Sequence, residues 1–478
     1  MAAVAESLEI EIDHLDASGD GIARLGRRQI AVPFTIPGER VRVRIVRADG
    51  HVVRASLESV LRASPHRVAP GCLHFGPDAQ PGLGPCGGCS WQHIAYAEQL
   101  RLKTDLVTRL VRSAVPRAPA AQPMLAGAPE HAPWGYRHKA HFVFGSAQRG
   151  PSRHRNRSLV MGHYARGSRR VIPVEECPVH DERGNALAFR LHDSYARANV
   201  GAAPDGPLKG IAIRAGLRTP ELMATLVLTR ESDKTVRAAT RRVLDGPGAP
   251  SSFHVNLHPG PDPFIFGSET RNIAGPARMR EEVAGVSFVI SPTAFFQTNV
   301  HAAETLVGLV LAAMPERARI LDLYAGAGLF ALPLARAGHE VVAVEENRAA
   351  VADGEASRRF NRIPEERCRF VARRVEQAVT APARSPGGRR DRRDAGAAHH
   401  EFDAVVLDPP REGCSEAVIA DVFGGLAPPR VVYISCNPEA LARDLAAASD
   451  HGYRIRSLQP VDMFPHTAHV ETVALLTR

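Results

Sequence analysis

The chain has 478 residues, a hydrophobic fraction of 44% and a formal net charge of +9 with a pI near 9.5. That length exceeds one ordinary core, so two or three domains are expected, and an excess built mostly of arginine suits phosphate contact. No run approaches the 18 apolar residues of a membrane span, and MAAVAESLEIEID carries acids where an export signal needs basic and then apolar residues. A cytoplasmic protein with no membrane contact and no obligate protein partner is therefore expected, and in that reducing compartment seven cysteines point to metal binding or catalysis.

Residues 7–60 read as short strands broken by Gly and Pro turns: LEIEIDHLD, GDGIARLGRRQIAVPFT, the turn IPGE, and RVRVRIVRADGHVVRASLESVL. This predicts a small OB-like β-barrel over residues 1–61. With eight basic and nine acidic residues over positions 1–60, charge does not separate an RNA-binding barrel from a structural one.

Cys72, Cys86 and Cys89 follow, the last two in GPCGGCSWQH, and Cys177 stands in EECPVH. A C-x2-C pair in a glycine-rich loop wraps a metal with two thiolates, and two further cysteines complete four ligands for zinc or an iron–sulfur cluster. Spacing does not choose between them. Ile94 to Arg112 has helical spacing of Leu100, Leu106, Val107 and Leu110 with basic residues between, and residues 114–133 form an Ala/Pro-rich connector. From His131 to Ile172 there are nine Arg or Lys and no acid, with Trp134, Tyr136, Phe142, Phe144 and Tyr164 interleaved. Nucleic-acid contact by charge and stacking is one reading, and a solvated loop (RGPSRHRNRS) between core strands is the other. The strands LKGIAIRAG, ELMATLVLT, SFHVNLH and VSFVIS, with a helix near Thr235 to Leu244, complete a central α/β domain over residues 62–298 that ends in SPTAFFQTN.

From 299 to 478, strands and helices alternate through ILDLYAG, VVAVEEN, CRFVA, FDAVVLDPP and VVYISCNP, which predicts a parallel sheet covered by helices on both faces. The apolar-poor stretch from 381 to 401 reads as a surface loop. A strand followed by D-x-x-x-G-x-G, with Glu345 ending the next strand, follows the nucleoside-binding logic of such sheets. Gly326 and Gly328 let the backbone approach, and the acid accepts ribose hydroxyls. Because Ala331 also satisfies a dinucleotide fingerprint, the glycines alone leave a dehydrogenase open. Cys436 sits at a strand-to-helix turn and Asp408 ends a neighbouring strand, so cofactor, acid and thiol are expected on one rim.

The set DLYAGAGLF, LDPPREG, YISCNP and FPHTAHVE resembles the S-adenosylmethionine-dependent RNA (uracil-5-)-methyltransferases. The barrel followed by four cysteines resembles the branch with a TRAM domain and a [4Fe-4S] cluster, typified by bacterial 23S rRNA enzymes. The likeness spans nearly the whole chain. It implies a Rossmann-like class I methyltransferase domain, S-adenosyl-L-methionine as cofactor, and methylation of carbon 5 of a uridine in RNA, 23S rRNA first and tRNA as the alternative.

That chemistry also follows from the residues. Carbon 5 of uracil is a poor nucleophile, so a thiolate first adds to carbon 6, and a base later removes the carbon-5 proton. By resemblance Cys436 is the nucleophile and Glu471 the base. Gln297, Tyr324 and Gly326 contact the cofactor, Glu345 holds its ribose, Asp408 lies where cofactor and base meet, and Phe295 sits against the base. Cys72, Cys86, Cys89 and Cys177 ligate the cluster. Leu329 and Arg374 depart from the family's usual Asn and Asn/Asp, and the thirteen residues between Cys72 and Cys86 exceed the usual spacing. A methyltransferase for another substrate would not need both Cys436 and Glu471, whereas an RNA-binding protein that had lost catalysis would lack cofactor affinity.

Overall fold

The structure is a computed structural model describing residues 7–49, 51–77, 79, 84–127, 133–146, 159–260, 265–379 and 402–478. Its first sheet has six strands in the order Ser7–Glu11, Arg40–Asp49, Val52–Arg62, Arg28–Val32, Gly21–Leu25, His14–Leu15. Strand alternation turns Ile10, Ile30, Val32, Val41, Val43 and Val53 inward onto a small separate core. Arg40 and Arg42 pair with Glu9, and Arg44 with Glu58. The Ile12 amide donates to the Glu39 carbonyl (3.0 Å) and the Asp13 amide to the Ile22 carbonyl (2.8 Å), which joins the sheet's ends into a barrel.

The second sheet runs Val171–Pro173, Leu159–Tyr164, Lys139–Ser146, Leu208–Ala215, Leu222–Leu228, Ser252–Leu257, Glu269–Ala274. Helices Glu182–Arg197 and Lys234–Leu244 cover one face through Leu187, Leu191, Tyr195, Val236 and Ala239. This corrects the reading of the interleaved aromatics as stacking surfaces. Tyr136, Phe142 and Phe144 are buried, and of that set only Tyr164 is exposed. Alternation explains it, because Phe142 and Phe144 point to the helical side while Lys139 and His141 point to the other. Arg149, Arg153, Arg155 and Arg157, and the loop expected from 381 to 401, lie outside the described residues.

The third sheet has eight strands: Cys368–Ala372, Glu340–Glu345, Arg319–Leu323, Ala404–Leu407, Arg430–Ser435, Glu471–Thr477, Arg454–Asp462, Leu125–Ala126. The first five are mutually parallel, and Glu471–Thr477 runs antiparallel between Arg430–Ser435 and Arg454–Asp462. All of Ala404–Leu407 is buried, as expected of a strand covered on both faces. From Arg319–Leu323 the chain proceeds to one side, then returns to continue on the other. The crevice at the carboxyl ends of Arg319–Leu323 and Ala404–Leu407 is therefore a topological switch point.

Two segments from before residue 299 pack into this catalytic layer. The hairpin Met279–Val283/Val286–Ile290 joins its core through Val283, Phe288 and Ile290. The helix Tyr96–Ala114 lays Val107 and Val111 against the other side, and Leu125–Ala126 pairs with Val461 and Asp462. That helix also carries Lys103, whose Nζ donates to Asp462 Oδ1 at 2.6 Å with both side chains fully buried. Lys103 donates again to the Phe464 carbonyl at 3.2 Å.

A buried pair stripped of one partner leaves an uncompensated charge in a low-dielectric site. Lys103→Met should therefore lower stability by about 3–5 kcal/mol, read from urea denaturation. The double variant Lys103→Met/Asp462→Leu should recover most of that loss, whereas equal losses in single and double variants would show that the pair contributes nothing as a pair.

Candidate active site

The switch-point crevice is a cleft of about 1320 Å³ lined by Phe295, Gln297, Tyr324, Gly326, Glu345, Asp408, Cys436 and Glu471. Every residue assigned from the sequence to cofactor or catalysis reaches this one cavity. After Arg319–Leu323 the chain turns through Tyr324 (φ 63°), Gly326 (φ 56°) and Gly328 (φ 87°). A Cβ at Gly328 would lie 2.7 Å from Phe370, so close packing as well as backbone angle requires glycine there. The Gly326 amide donates to Glu345 Oε2 (2.9 Å) and the Asn347 amide to Oε1 (2.7 Å). Glu345 thus ties the glycine turn to the next strand end while still lining the cleft.

Cys436 and Glu471 are brought together by strand register. Ser435 pairs with Thr472 in the antiparallel ladder, so the next position, Cys436, lies beside Glu471. Asn437 caps the helix Pro438–Asp450 by accepting from the Glu439 amide (3.0 Å), and its Nδ2 donates to the Arg411 carbonyl (2.9 Å). That side chain fixes the thiol's turn against the DPPREG loop. Tyr433 Oη donates to Asp444 (2.5 Å), which also accepts from the Cys414 amide (2.8 Å), anchoring the same loop from below.

Burial and mutual repulsion favour the protonated form of all three acids of the free site. Burial lifts Asp408 to about 7. Glu471 is pushed well above the ordinary carboxyl range, first by burial and then by Asp408, with Arg411 opposing. Burial, then the charges of Glu471 and Asp408, pushes the Cys436 thiol up to about 12, again against Arg411. Arg411 and His469, both lining the cleft, were not singled out from the sequence. Arg411 stands inside LDPPREG and could have been noticed, whereas His469 carried no signal beyond lying two residues before Glu471. Leu329 and Arg374 line the cleft too, and Arg374 pairs with Glu346 at 3.3 Å.

The four cysteines form a second centre next door. Cys72, Cys86, Cys89 and Cys177 lie close enough for the charges of the others to act on Cys177, and burial raises all four thiols. The Gly88 amide already points at Cys86 Sγ (3.4 Å). The donor set, four thiols on glycine-rich backbone, fits zinc or an iron–sulfur cluster. Cys177 additionally has His163 and His180 ring nitrogens within 4.8 Å. Gly87 and Gly88, between the paired cysteines, form part of the wall of the catalytic cleft.

Comparison with known proteins places this arrangement. A family described as tRNA (Uracil-5-)-methyltransferase matches residues 280–478, and one described as tRNA (uracil(54)-C(5))-methyltransferase, TRAM domain, matches residues 8–65. An uncharacterized RNA methyltransferase of Thermosynechococcus vestitus is 34% identical over 98% of both chains. The chain belongs to the RNA (uracil-5-)-methyltransferase family. A second uncharacterized RNA methyltransferase, of Gloeobacter violaceus, is 33% identical over 99% of this chain and 97% of its own. The crystal structure of Pyrococcus abyssi tRNA (uracil-54, C5)-methyltransferase in complex with S-adenosyl-L-homocysteine shares the fold at a TM-score of 0.73 and 24% identity, covering 98% of this chain and 100% of that one. This RNA methyltransferase, then, has an N-terminal TRAM domain and a C-terminal methyltransferase domain. Among the described residues no helix is long and apolar enough to cross a membrane.

Because the Cys436 thiol is held up, its thiolate fraction at neutral pH is small and should rise about tenfold per pH unit. Alkylation of the Cys436 peptide by iodoacetamide, followed by mass spectrometry in the free enzyme, should keep accelerating through pH 10. A plateau below pH 8 would contradict the charge arrangement described here.

Proposed function

We propose that this methyltransferase modifies carbon 5 of a uridine through a covalent Cys436–uracil adduct, with Glu471 as the base that ends the cycle. The observation that carries it is the antiparallel register that sets thiol and carboxyl side by side on the wall of one cleft. Phe295, 75% exposed on the segment that also presents Gln297, offers a ring face for the uracil. Gln297, Tyr324 and Gly326 hold the cofactor, Glu345 accepts its ribose hydroxyls, and Asp408 borders both ligands. Bound S-adenosylmethionine supplies the methyl group and a positive charge. In that field Asp408 and Glu471 ionise more readily, since opposite charge offsets the burial and mutual repulsion that protonate them. Cys436 gives its proton to solvent and adds as thiolate to carbon 6, and carbon 5 takes the methyl as the sulfonium–methyl bond breaks and S-adenosylhomocysteine leaves. Glu471 then removes the carbon-5 proton so that the carbon–sulfur bond breaks and the thiolate is released.

Cys72, Cys86, Cys89 and Cys177 would hold a [4Fe-4S] cluster whose contribution is structural, locking a loop that has little core of its own. The segments before residue 299 would form the central RNA-binding domain between barrel and catalytic domain. For the RNA, 23S rRNA is the substrate that barrel and cluster first suggest. The barrel's match to a TRAM domain described for a tRNA enzyme removes the barrel as an argument for rRNA, so tRNA enters the test beside it.

Three measurements check these readings. Cys436→Ala should bind RNA and cofactor yet form no covalent complex and transfer no methyl. Glu471→Gln lacks a competent base, because a neutral amide is a very poor proton acceptor, and should trap methylated RNA on the enzyme through denaturing electrophoresis. Methylation by the first variant, or normal turnover by the second, would sink the mechanism. Anaerobically purified protein should be brown and carry about four irons per chain, whereas stoichiometric zinc without iron would refute the cluster. Mapping 5-methyluridine in rRNA and tRNA with and without the gene identifies the substrate.

A further inference from the structure

Lys139 and Arg214 stand directly opposite each other on adjacent antiparallel strands of the second sheet. Like charges in that position repel, and cross-strand pairs of this kind are ordinarily avoided. Both side chains turn to one acceptor, the Ala294 carbonyl, at 3.3 Å from Lys139 Nζ and 3.2 Å from Arg214 Nη2. Among the described residues neither has a carboxylate within ion-pair distance. The acids nearest Arg214 are already engaged, Glu281 by the Leu217 and Arg218 amides and Asp353 by Ser291 and Arg278. Arg214 is 5% exposed and its Nε has no partner. Two residues beyond Lys139, on the same side of the strand, His141 Nε2 is also buried without a partner. Burial first, and then the charges of Lys139, Arg214 and Arg137, push that imidazole down to about 3, and burial followed by Arg214 also lowers Lys139.

This charge sits beside the catalytic cleft. The carbonyl shared by the two cations belongs to Ala294, which lines the cleft immediately before Phe295, and Arg137 lines it as well. Arg137, Lys139 and His141 occupy alternate positions along one strand direction, about 7 Å apart, roughly the reach of one nucleotide. Lys139 lies over the Phe266 ring and Arg214 over Phe296, which holds both cations in place without neutralising them. A cation on the pocket wall, a second one step further out and a buried imidazole N–H donor beyond it match the repeat of a polyanion with one charge per unit. An acidic peptide would not require that the row end at the pocket.

We propose that Lys139, Arg214 and His141 form a binding station for one phosphodiester of the substrate RNA, the one adjoining the uridine whose base enters the cleft. The proposal rests on the RNA-methylating reading above and adds the residues that fix the strand while the base is turned inward. Lys139 and His141 donate to the phosphate oxygens. Arg214, deeper, supplies charge and holds the Ala294 carbonyl, and with it the Phe295 segment.

The test uses the full-length protein, a short fluorescein-labelled oligouridylate, and its neutral methylphosphonate analogue. Fluorescence anisotropy between about 50 and about 200 mM salt gives affinity and salt slope. Lys139→Gln should weaken binding about fivefold and reduce the slope by about 0.7, the share of one phosphate on a single strand. Lys139→Arg should restore both, and the methylphosphonate probe should not distinguish Lys139→Gln from wild type. Isothermal titration with S-adenosylhomocysteine should give affinities within about twofold for all variants, which separates loss of a phosphate contact from loss of fold. His141→Asn offers an independent variant two positions further along the same face, with a smaller loss expected. Wild-type affinity and slope in both Lys139→Gln and His141→Asn would overturn the station while leaving the RNA reading intact. Competition by polyglutamate as effective as by oligouridylate would overturn it in favour of a protein partner. Absence of salt-dependent RNA binding in the wild type would remove the RNA reading and this proposal together.

Discussion

The catalytic end of the molecule depends on how the loop from Met463 to Val470 is held, because Glu471 follows it directly. Lys103 grips its start by pairing with Asp462 and donating to the Phe464 carbonyl. Asn299 Nδ2 donates to the Met463 carbonyl and Tyr136 Oη to the Pro465 carbonyl. The Ser90 and Trp91 amides both donate to the His466 carbonyl, and Gln99 accepts from the His466 amide. Trp134 packs on the His466 ring at 4.2 Å. These contacts come from the cysteine loop, the long helix, the segment that leads into the second sheet and the N-cap of the helix Val300–Ala313. A buried ion pair contributes little net stability over an apolar substitute, but it selects one geometry. Here that geometry is the position of the Glu471 carboxyl relative to the Cys436 thiol.

The cleft shows the complementary logic. Three acids, Asp408, Glu471 and the Cys436 thiol, are crowded together, and Arg411 is the cation that opposes the shifts of Glu471 and Cys436. Such crowding favours the protonated Cys436 thiol in the free protein, and a cationic ligand would be the natural counterweight. Lys139 and Arg214 carry the opposite sign and meet behind Ala294. The cleft's acids and this basic pair are thus held apart around the Phe295 segment, the charge pattern that the proposed RNA approach would use.

Much of this was legible in the sequence. The nearly unbroken apolar runs in ILDLYAG, FDAVVLDPP and VVYISCNP specify buried parallel strands, and the polar residues that end them had to meet at one sheet edge. Other features were not readable, for physical reasons. Lys103 looks like one more basic residue on a helix face, and only its pairing with Asp462, far along the chain, shows that it is buried. Leu125–Ala126 lies in what reads as an Ala/Pro connector, because two residues of edge strand leave no periodicity. The aromatics around the basic stretch fit stacking surfaces equally well until strand alternation sends Phe142 and Phe144 inward. Arg214 reads as one arginine in a strand, and its opposition to Lys139 depends on register.

The position of Glu471–Thr477 has a consequence for biosynthesis. It is made after its neighbours, yet lies between Arg430–Ser435 and Arg454–Asp462. Until it emerges from the ribosome, both of those strands keep an open edge, and the exposed backbone is a template for wrong pairing. Glu471 arrives with the strand that closes the gap. A partly synthesised chain can therefore hold the glycine turn and the Cys436 turn before the carboxyl beside that thiol exists, so under the proposed mechanism chemical competence comes only with the last step of sheet closure.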